Sequence, residues 1–290
     1  MLIQQILNGL SVGMTYSLTA IGFTLIFGVL GLVNFAHGEV YMIGAFVTFT
    51  LSQFLGWGLV PSFIGGVIAG AIVGMAMEKI AFKPLRRMKP ETTMLATLGL
   101  SILLKEIAVL IWGPETQSIS TSSAIFAADW GGDSIRISGI QVVIFIVSIA
   151  LMAGLQLLLY KTRIGFGIRS IAQNRDAAYL MGVNVNRTIN YTFAIGAAMG
   201  AAAGVLVAFY YGALDPYMGF MPGIKAFVAM VLGGLTSIPG AVVGGLILGM
   251  SETMAGAYIH SGLQDAIAFL LLVLLLILRP TGLGGRKRGV

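Results

Sequence analysis

Gly233-Gly234-Leu235-Thr236-Ser237-Ile238-Pro239-Gly240 interrupts an apolar run that extends from Ile224 to Ala255. Proline lacks a backbone N–H, and the three glycines favour turns, so no continuous helix passes through this stretch. The run reads instead as two short arms, one going in and one coming out. A stretch of the same design lies near the amino terminus. Gly31-Leu32-Val33-Asn34-Phe35-Ala36-His37-Gly38 aligns with residues 233–240, glycine matching glycine at both ends, and Val40 then matches Val242. The alignment suggests a parallel internal repeat of the first three and last three arms of the chain.

Composition places these arms in a membrane. Hydrophobic residues are 57% and charged residues 10% of the 290, and the mean hydropathy is +0.94. A soluble domain carries about a quarter charged residues. Apolar runs of about 20 residues, the length that crosses a bilayer core, recur along the chain. The 40 glycines suit close helix packing in lipid, and the absence of cysteine excludes disulfides, thiol catalysis and cysteine-based metal sites. No cleavable signal peptide is expected, because the first basic residue is Lys79.

Charge placement orients the chain. Most of the 17 basic residues fall in three groups: Lys83, Arg86, Arg87 and Lys89; Lys161, Arg163, Arg169, Arg175 and Arg187; and Arg279, Arg286, Lys287 and Arg288. The positive-inside bias makes all three cytoplasmic. They adjoin membrane segments, so nucleic acid is not an expected partner. Residues 113–139 carry Glu115, Asp129 and Asp133 against Arg136 and read as the main external loop, with Trp57, Trp112 and Trp130 near the same side. The amino terminus is then outside and the carboxyl terminus inside. Spans are expected at 6–32, 40–55, 62–80, 92–112, 140–160, 189–211 and 264–278, with the broken pair between 224 and 255. The fold class is all-α: a polytopic integral membrane protein of about eight segments in one domain, 1–290, with a basic cytoplasmic loop at 161–188.

Interrupted helices in lipid free backbone groups that are tolerated only inside protein or beside water. The two breaks are therefore the candidate translocation path: Asn34, His37 and Glu39 at the first, and Thr236, Ser237 and Pro239 at the second. A lone histidine reads first as a hydrogen-bonded structural residue, with gating the alternative. Gly66, Gly70 and Gly74 on the third span, and Gly196, Gly200 and Gly204 on the sixth, have the spacing of close helix contacts. Static packing and sliding surfaces both account for them. Lys105 and Glu106 point about 100° apart on a helix of 3.6 residues per turn. They are not expected to form a self-contained ion pair. Glu78 and Lys79 are expected at an interfacial helix end, and Glu252 and His260 in solvent near the outer surface.

Enzyme chemistry has little support. The two histidines show no metal-site spacing, and no Gly-x-x-x-x-Gly-Lys-Ser/Thr phosphate loop occurs, so any ATP hydrolysis belongs to another chain. No metal or other cofactor is expected here.

The basic loop holds Asp176-Ala177-Ala178-Tyr179-Leu180-Met181-Gly182, which reads as a short helix stopped by a glycine able to adopt the left-handed conformation. The spacing acidic-Ala-Ala-x-x-x-Gly resembles the EAA-type coupling loop of ABC importer permeases, with Asp176 in place of glutamate. The expected ATPase-coupling residues are Arg169, Arg175, Asp176, Ala177, Ala178 and Gly182. Helical periodicity across 168–181 places Ile168, Ile171, Ala172 and Tyr179 near one face, and Arg169, Gln173 and Asp176 along another. The small alanines would let a partner's cleft close around the helix.

The resemblance extends over nearly the whole chain. Asn34-Phe35-Ala36-His37-Gly38-Glu39-Val40-Tyr41-Met42-Ile43-Gly44, the loop through Gly182, Gly223-Ile224-Lys225-Ala226-Phe227 and residues 232–240 occur in the order expected of a family member. The chain is similar to the permease of high-affinity branched-chain amino acid ABC importers, the LivH type. That resemblance implies a second related permease subunit, two cytoplasmic ATPases that carry ATP and Mg, and an external or periplasmic substrate-binding protein. The membrane would be the bacterial cytoplasmic (inner) membrane. Binding-protein contact is expected around 130–138 and 215–222. Permeases for urea or short amides are close alternatives on the same resemblance. An ion-coupled secondary transporter would also suit broken helices, but only Glu39 and Glu106 are candidate coupling acids.

Overall fold

The structure is a computed structural model that describes residues 2–86, 88–119, 129–132, 135–279 and 281–284. Arg87, Asp133, Arg286, Lys287, Arg288 and the 120–128 part of the expected external loop lie outside the described residues. Eleven principal helices are present among the described residues: α1 (Leu2–Leu30), α2 (His37–Gln53), α3 (Leu59–Met77), α4 (Pro90–Trp112), α5 (Gly139–Lys161), α6 (Arg163–Gln173), α7 (Arg175–Leu180), α8 (Val185–Tyr211), α9 (Phe220–Gly233), α10 (Ile238–Tyr258) and α11 (Gln264–Leu278). The end of α3 runs through a π turn, Glu78–Phe82, to Leu85.

Seven of these helices are long and apolar enough to cross a membrane: α1, α3, α4, α5, α8, α10 and α11. This is an all-α polytopic membrane protein. The broken pair resolves asymmetrically. α10 has 21 residues and is of spanning length, whereas α9 has 14. At 1.5 Å per residue α9 reaches about 21 Å, short of a bilayer core of about 30 Å. α9 is therefore a partial arm.

α1 and α8 form the buried centre, and α3, α4, α5 and α11 show most of their surface outward. Small residues set how near α8 can come to its neighbours. An added Cβ at Gly204 would lie 2.0 Å from the Tyr41 carbonyl oxygen on α2. One at Gly70 or Gly74 would meet Ala201 or Ala197 of α8 at 2.3 Å. The two glycine series thus lie in tight helix contacts, as their spacing predicts.

Both expected breaks are present. At the first, Gly31 has φ +67° and donates to Phe27 O at 2.7 Å, and α2 begins six residues later. At the second, Gly234 has φ +106°, a conformation that disfavours side chains other than glycine's. Its N–H donates to Met230 O at 2.9 Å. Ser237 caps α10 by accepting from Gly240 N at 3.1 Å, and Pro239 occupies the first turn, where a missing N–H costs no helical bond. The last carbonyls of α9 find partners from the end of the chain. Leu283 N donates to Leu232 O and Gly284 N to Gly233 O, both at 2.9 Å.

The far end of the bundle, opposite the basic loop, holds structure that the all-α reading omitted. β2 (Asp129–Gly132) pairs with β3 (Ile135–Ser138), and β1 (Gln117–Ser118) pairs with β4 (Ala213–Leu214), both antiparallel. Arg136 N donates to Gln4 Oε1 at 2.9 Å, and Gln141 Nε2 to Asn8 Oδ1 at 2.8 Å. The first bond attaches the hairpin, and the second the start of α5, to the start of α1.

Gly204→Ala is expected to destabilise the bundle by about 1–3 kcal/mol through forced separation of α2 and α8. Gly154→Ala, which meets nothing within 4 Å, should be neutral or mildly stabilising. Thermal unfolding of the purified variants in detergent checks the contrast; equal midpoints would show that the α2–α8 contact is soft.

Candidate functional site

Three capped helix starts shape the basic loop. Thr162 Oγ1 accepts from Gly165 N at 3.1 Å, Asn174 Oδ1 from Ala177 N at 3.0 Å, and Asn184 Oδ1 from Arg187 N at 3.1 Å. Such caps satisfy N–H groups that the first turn of a helix leaves free. The loop is consequently a folded unit, α6–α7, stopped at Gly182 with φ +84°. Asn174 itself is extended, with φ −157° and ψ 113°. It breaks the helical phase, so the faces expected from one helix over 168–181 need correction.

Ile168 and Ile171 are buried against the bundle, as expected, but Ala172 is exposed and Tyr179 is 70% exposed. Ala178 takes the inward place instead and is 4% exposed, within this chain's own core. Leu180 and Met181 stand out at 82% and 84%. A docking surface on this turn thus offers Tyr179, Leu180 and Met181, flanked by exposed Arg175, Asp176, Ala177 and Gly182. Arg169 lies on the preceding helix, its guanidinium carbon 4.6 Å from the centre of the Tyr160 ring.

The two break groups occupy different surroundings. Thr236, Ser237 and Pro239 line a cavity of about 360 Å³ at the basic-loop end, together with Thr24, Gln156 and Arg169. Asn34, His37 and Glu39 are fully buried. Asn34 Oδ1 accepts from Ala36 N at 3.1 Å, and Phe35 N donates to Thr97 Oγ1 at 3.3 Å. Glu39 Oε1 accepts from Ser101 Oγ at 2.8 Å. This polar seam joins the start of α2 to α4. The His37 ring packs 4.6 Å from Phe23, centre to centre, in a notch that Cβ atoms at Gly22 or Gly200 would invade. Its ring nitrogens lack hydrogen-bond partners of normal geometry among the described residues. The structure does not bring the two groups together in one cavity.

Three charged positions differ from expectation. Glu78 is buried and is held by Arg86, while Asn190 Nδ2 donates to its other oxygen at 2.8 Å. Arg86 also donates to Asn186 Oδ1 at 2.8 Å, which ties the end of α3 to the start of α8 beside the basic loop. Sequence spacing to Arg86 was the available signal. Glu252 is buried rather than solvated: Lys225 Nζ lies 3.1 Å from it and Tyr16 donates to it at 2.9 Å. Lys105 and Glu106 do approach each other, at 3.8 Å. Long side chains reach across the angle between adjacent helical positions, and Lys105 Nζ also sits 5.4 Å from the Tyr217 ring centre.

Comparison with known proteins places this arrangement. Residues 5–278 match the family described as branched-chain amino acid transport system / permease component. The chain belongs to that family. It is 40% identical to the high-affinity branched-chain amino acid transport system permease protein LivH of Escherichia coli K12, over 98% of this chain and 96% of that one. Identity to BraD of Pseudomonas aeruginosa, a permease protein of the same description, is also 40%, with the same coverage. The ribose import permease protein RbsC of Haemophilus influenzae is 26% identical over 98% of this chain and 87% of that protein. The solved structure of "PsaBC from Streptococcus pneumoniae in complex with Fab" superposes with a TM-score of 0.50 at 12% identity, covering 97% of this chain and 92% of that one. That likeness concerns the fold alone. In this chain, the α6–α7 unit and the cavity above it lie side by side, with Arg169 common to both.

Because the chain has no native cysteine, single cysteines report local wetness. Thr236→Cys and Ser237→Cys should react readily with a small water-soluble thiol reagent in the resting protein, and Asn34→Cys and His37→Cys should stay protected. Mass spectrometry of labelled protein checks this; equal labelling at both breaks would mean that the first break also faces water.

Proposed function

We propose that this chain is the transmembrane permease subunit of an ATP-driven ABC importer that carries branched-chain amino acids delivered by an external binding protein. The observation that carries the reading is the family match across nearly the whole chain, with two 40%-identical relatives named for branched-chain amino acid transport. The folded α6–α7 unit supports it at the residue level. In this reading Tyr179, Leu180 and Met181 enter a cleft of the ATPase, while Arg175 and Asp176 set the charge at its rim. The ATPase pair holds ATP and Mg, and a second related permease subunit completes the membrane part.

The positive-inside bias supports a bacterial inner-membrane orientation with the amino terminus outside and the basic loop in the cytoplasm. The hairpin β2–β3 and the segment around Asp215 would then face the binding protein. Nucleotide binding pulls on α6–α7, whose Arg169 lines the same cavity as Thr236 and Ser237. That shared wall gives the ATPase a direct mechanical route to the second break. Transport follows as a shift in population between outward-open and inward-open states. Asn34, His37 and Glu39 act in this scheme as a buried seam that must rearrange for the path to open.

Co-purification and transport test the reading together. In proteoliposomes, uptake of radiolabelled leucine should require ATP inside the ATPase-facing compartment and loaded binding protein on the other side. Leu180→Asp with Met181→Asp should remove the ATPase from pull-downs and abolish uptake, with normal membrane insertion. Gly182→Val should weaken both, since its left-handed conformation costs a side-chain-bearing residue about 1–2 kcal/mol. Leucine uptake driven by an ion gradient without ATP would overturn the proposal in favour of a secondary transporter.

A further inference from the structure

An ion cluster around Lys225 joins four helices in the half of the bundle opposite the basic loop. Lys225, on α9, has a side chain only 10% exposed. Its Nζ lies 2.7 Å from Asp265 Oδ1 on α11 and 3.1 Å from Glu252 on α10, donating to Oε2. Tyr16 on α1 donates to the same oxygen at 2.9 Å. One ammonium thus faces two carboxyl groups. They differ in kind, because Glu252 is buried while the Asp265 side chain is 56% exposed. Asp265 can turn to water at little cost, and Glu252 cannot.

Lys225 also borders an open space. A cavity of about 170 Å³ is lined by Lys225 and by Tyr16, Tyr210 and Tyr211, with Ile144 and Val207 among its apolar walls. Its volume is below the 300–1,000 Å³ of sites for drug-sized ligands, so it suits a smaller molecule. A buried lysine that borders a cavity inside a membrane bundle marks a candidate functional site. A pin that only held α11 in place would need no cavity beside its lysine.

Resting on the importer reading above, we propose that this cavity is a subsite for the head of a zwitterionic aliphatic amino acid. The ligand's carboxylate takes the place of Asp265 on Lys225, one carboxylate exchanging for another. Its ammonium lies against the tyrosine rings, whose negative faces attract cations. The aliphatic chain rests on Ile144 and Val207. Loading the cavity therefore releases the start of α11, the span with the least buried surface.

The test uses the full transporter, permeases with their ATPases, in lipid nanodiscs without binding protein. Equilibrium binding of tritiated leucine is measured by scintillation proximity. Saturable binding is expected, competed by valine but poorly by 3-methylbutylamine or 4-methylpentanoate, which lack the carboxylate and the ammonium respectively. Lys225→Met should weaken binding by about tenfold or more, the scale of one lost charged hydrogen bond. Because that variant leaves Glu252 without its cation, Val207→Trp provides a second arm that fills the cavity and leaves the ions in place. It should abolish binding. Asp265→Asn should tighten binding, by about threefold on the same scale, since it removes the competitor for Lys225. A structural pin predicts the opposite sign or no change. The subsite is overturned if wild-type complexes bind no leucine, or if Lys225→Met and Val207→Trp bind it normally, while ATP-driven leucine uptake persists. Absence of uptake by the wild type would instead sink the importer reading.

Discussion

How close α8 can lie to α1, α2 and α3 governs the rest of the bundle. In lipid no hydrophobic drive holds helices together, so contact itself must supply the attraction. Backbone-scale approaches at Gly44, Gly70, Gly74, Gly196 and Gly204 make that contact intimate. A bundle packed at this spacing has no room for side chains to slide past one another one at a time. Its motions must be those of whole helices or of the segments that lack helical bonds.

Charge is handled by the same economy. Each strongly buried acid has a partner drawn from a different helix: Glu39 from α4, Glu78 from the loop after α3 and from α8, and Glu252 from α1 and α9. Removing one member of such a set leaves an uncompensated buried group, which costs several kcal/mol. The polar groups are therefore links between helices.

Much of this was legible in the sequence. Helix placement followed from apolar length, loop charge and the two glycine-rich breaks, and each expected span has its helix, although α2, at 17 residues, is not among the seven of spanning length. What could not be read were effects that need two distant segments in register. Glu252 looked solvated because its partners, Tyr16 and Lys225, come from other helices. The face of α7 was misplaced because periodicity was carried through Asn174, an extended residue that resets the phase. A cap-forming asparagine three residues before a helical N–H was the signal that marks such a reset. The first break and the second shared a sequence pattern, yet one is buried in polar contacts and the other opens on a cavity. Pattern alone does not say which side of a loop the neighbours occupy. The proposed roles of Asn34, His37 and Glu39 thus rest on a different footing from those of Thr236, Ser237 and Pro239.

The end of the chain bears on the second break in one further way. The carbonyls of Leu232 and Gly233 are occupied by Leu283 and Gly284. For α9 to grow by a turn toward α10, the new helical N–H groups would have to share those oxygens with their present donors. Continuity of the α9–α10 axis and attachment of residues 283–284 thus compete for the same acceptors. The polypeptide's last described residues thus favour the broken form of its most irregular membrane segment.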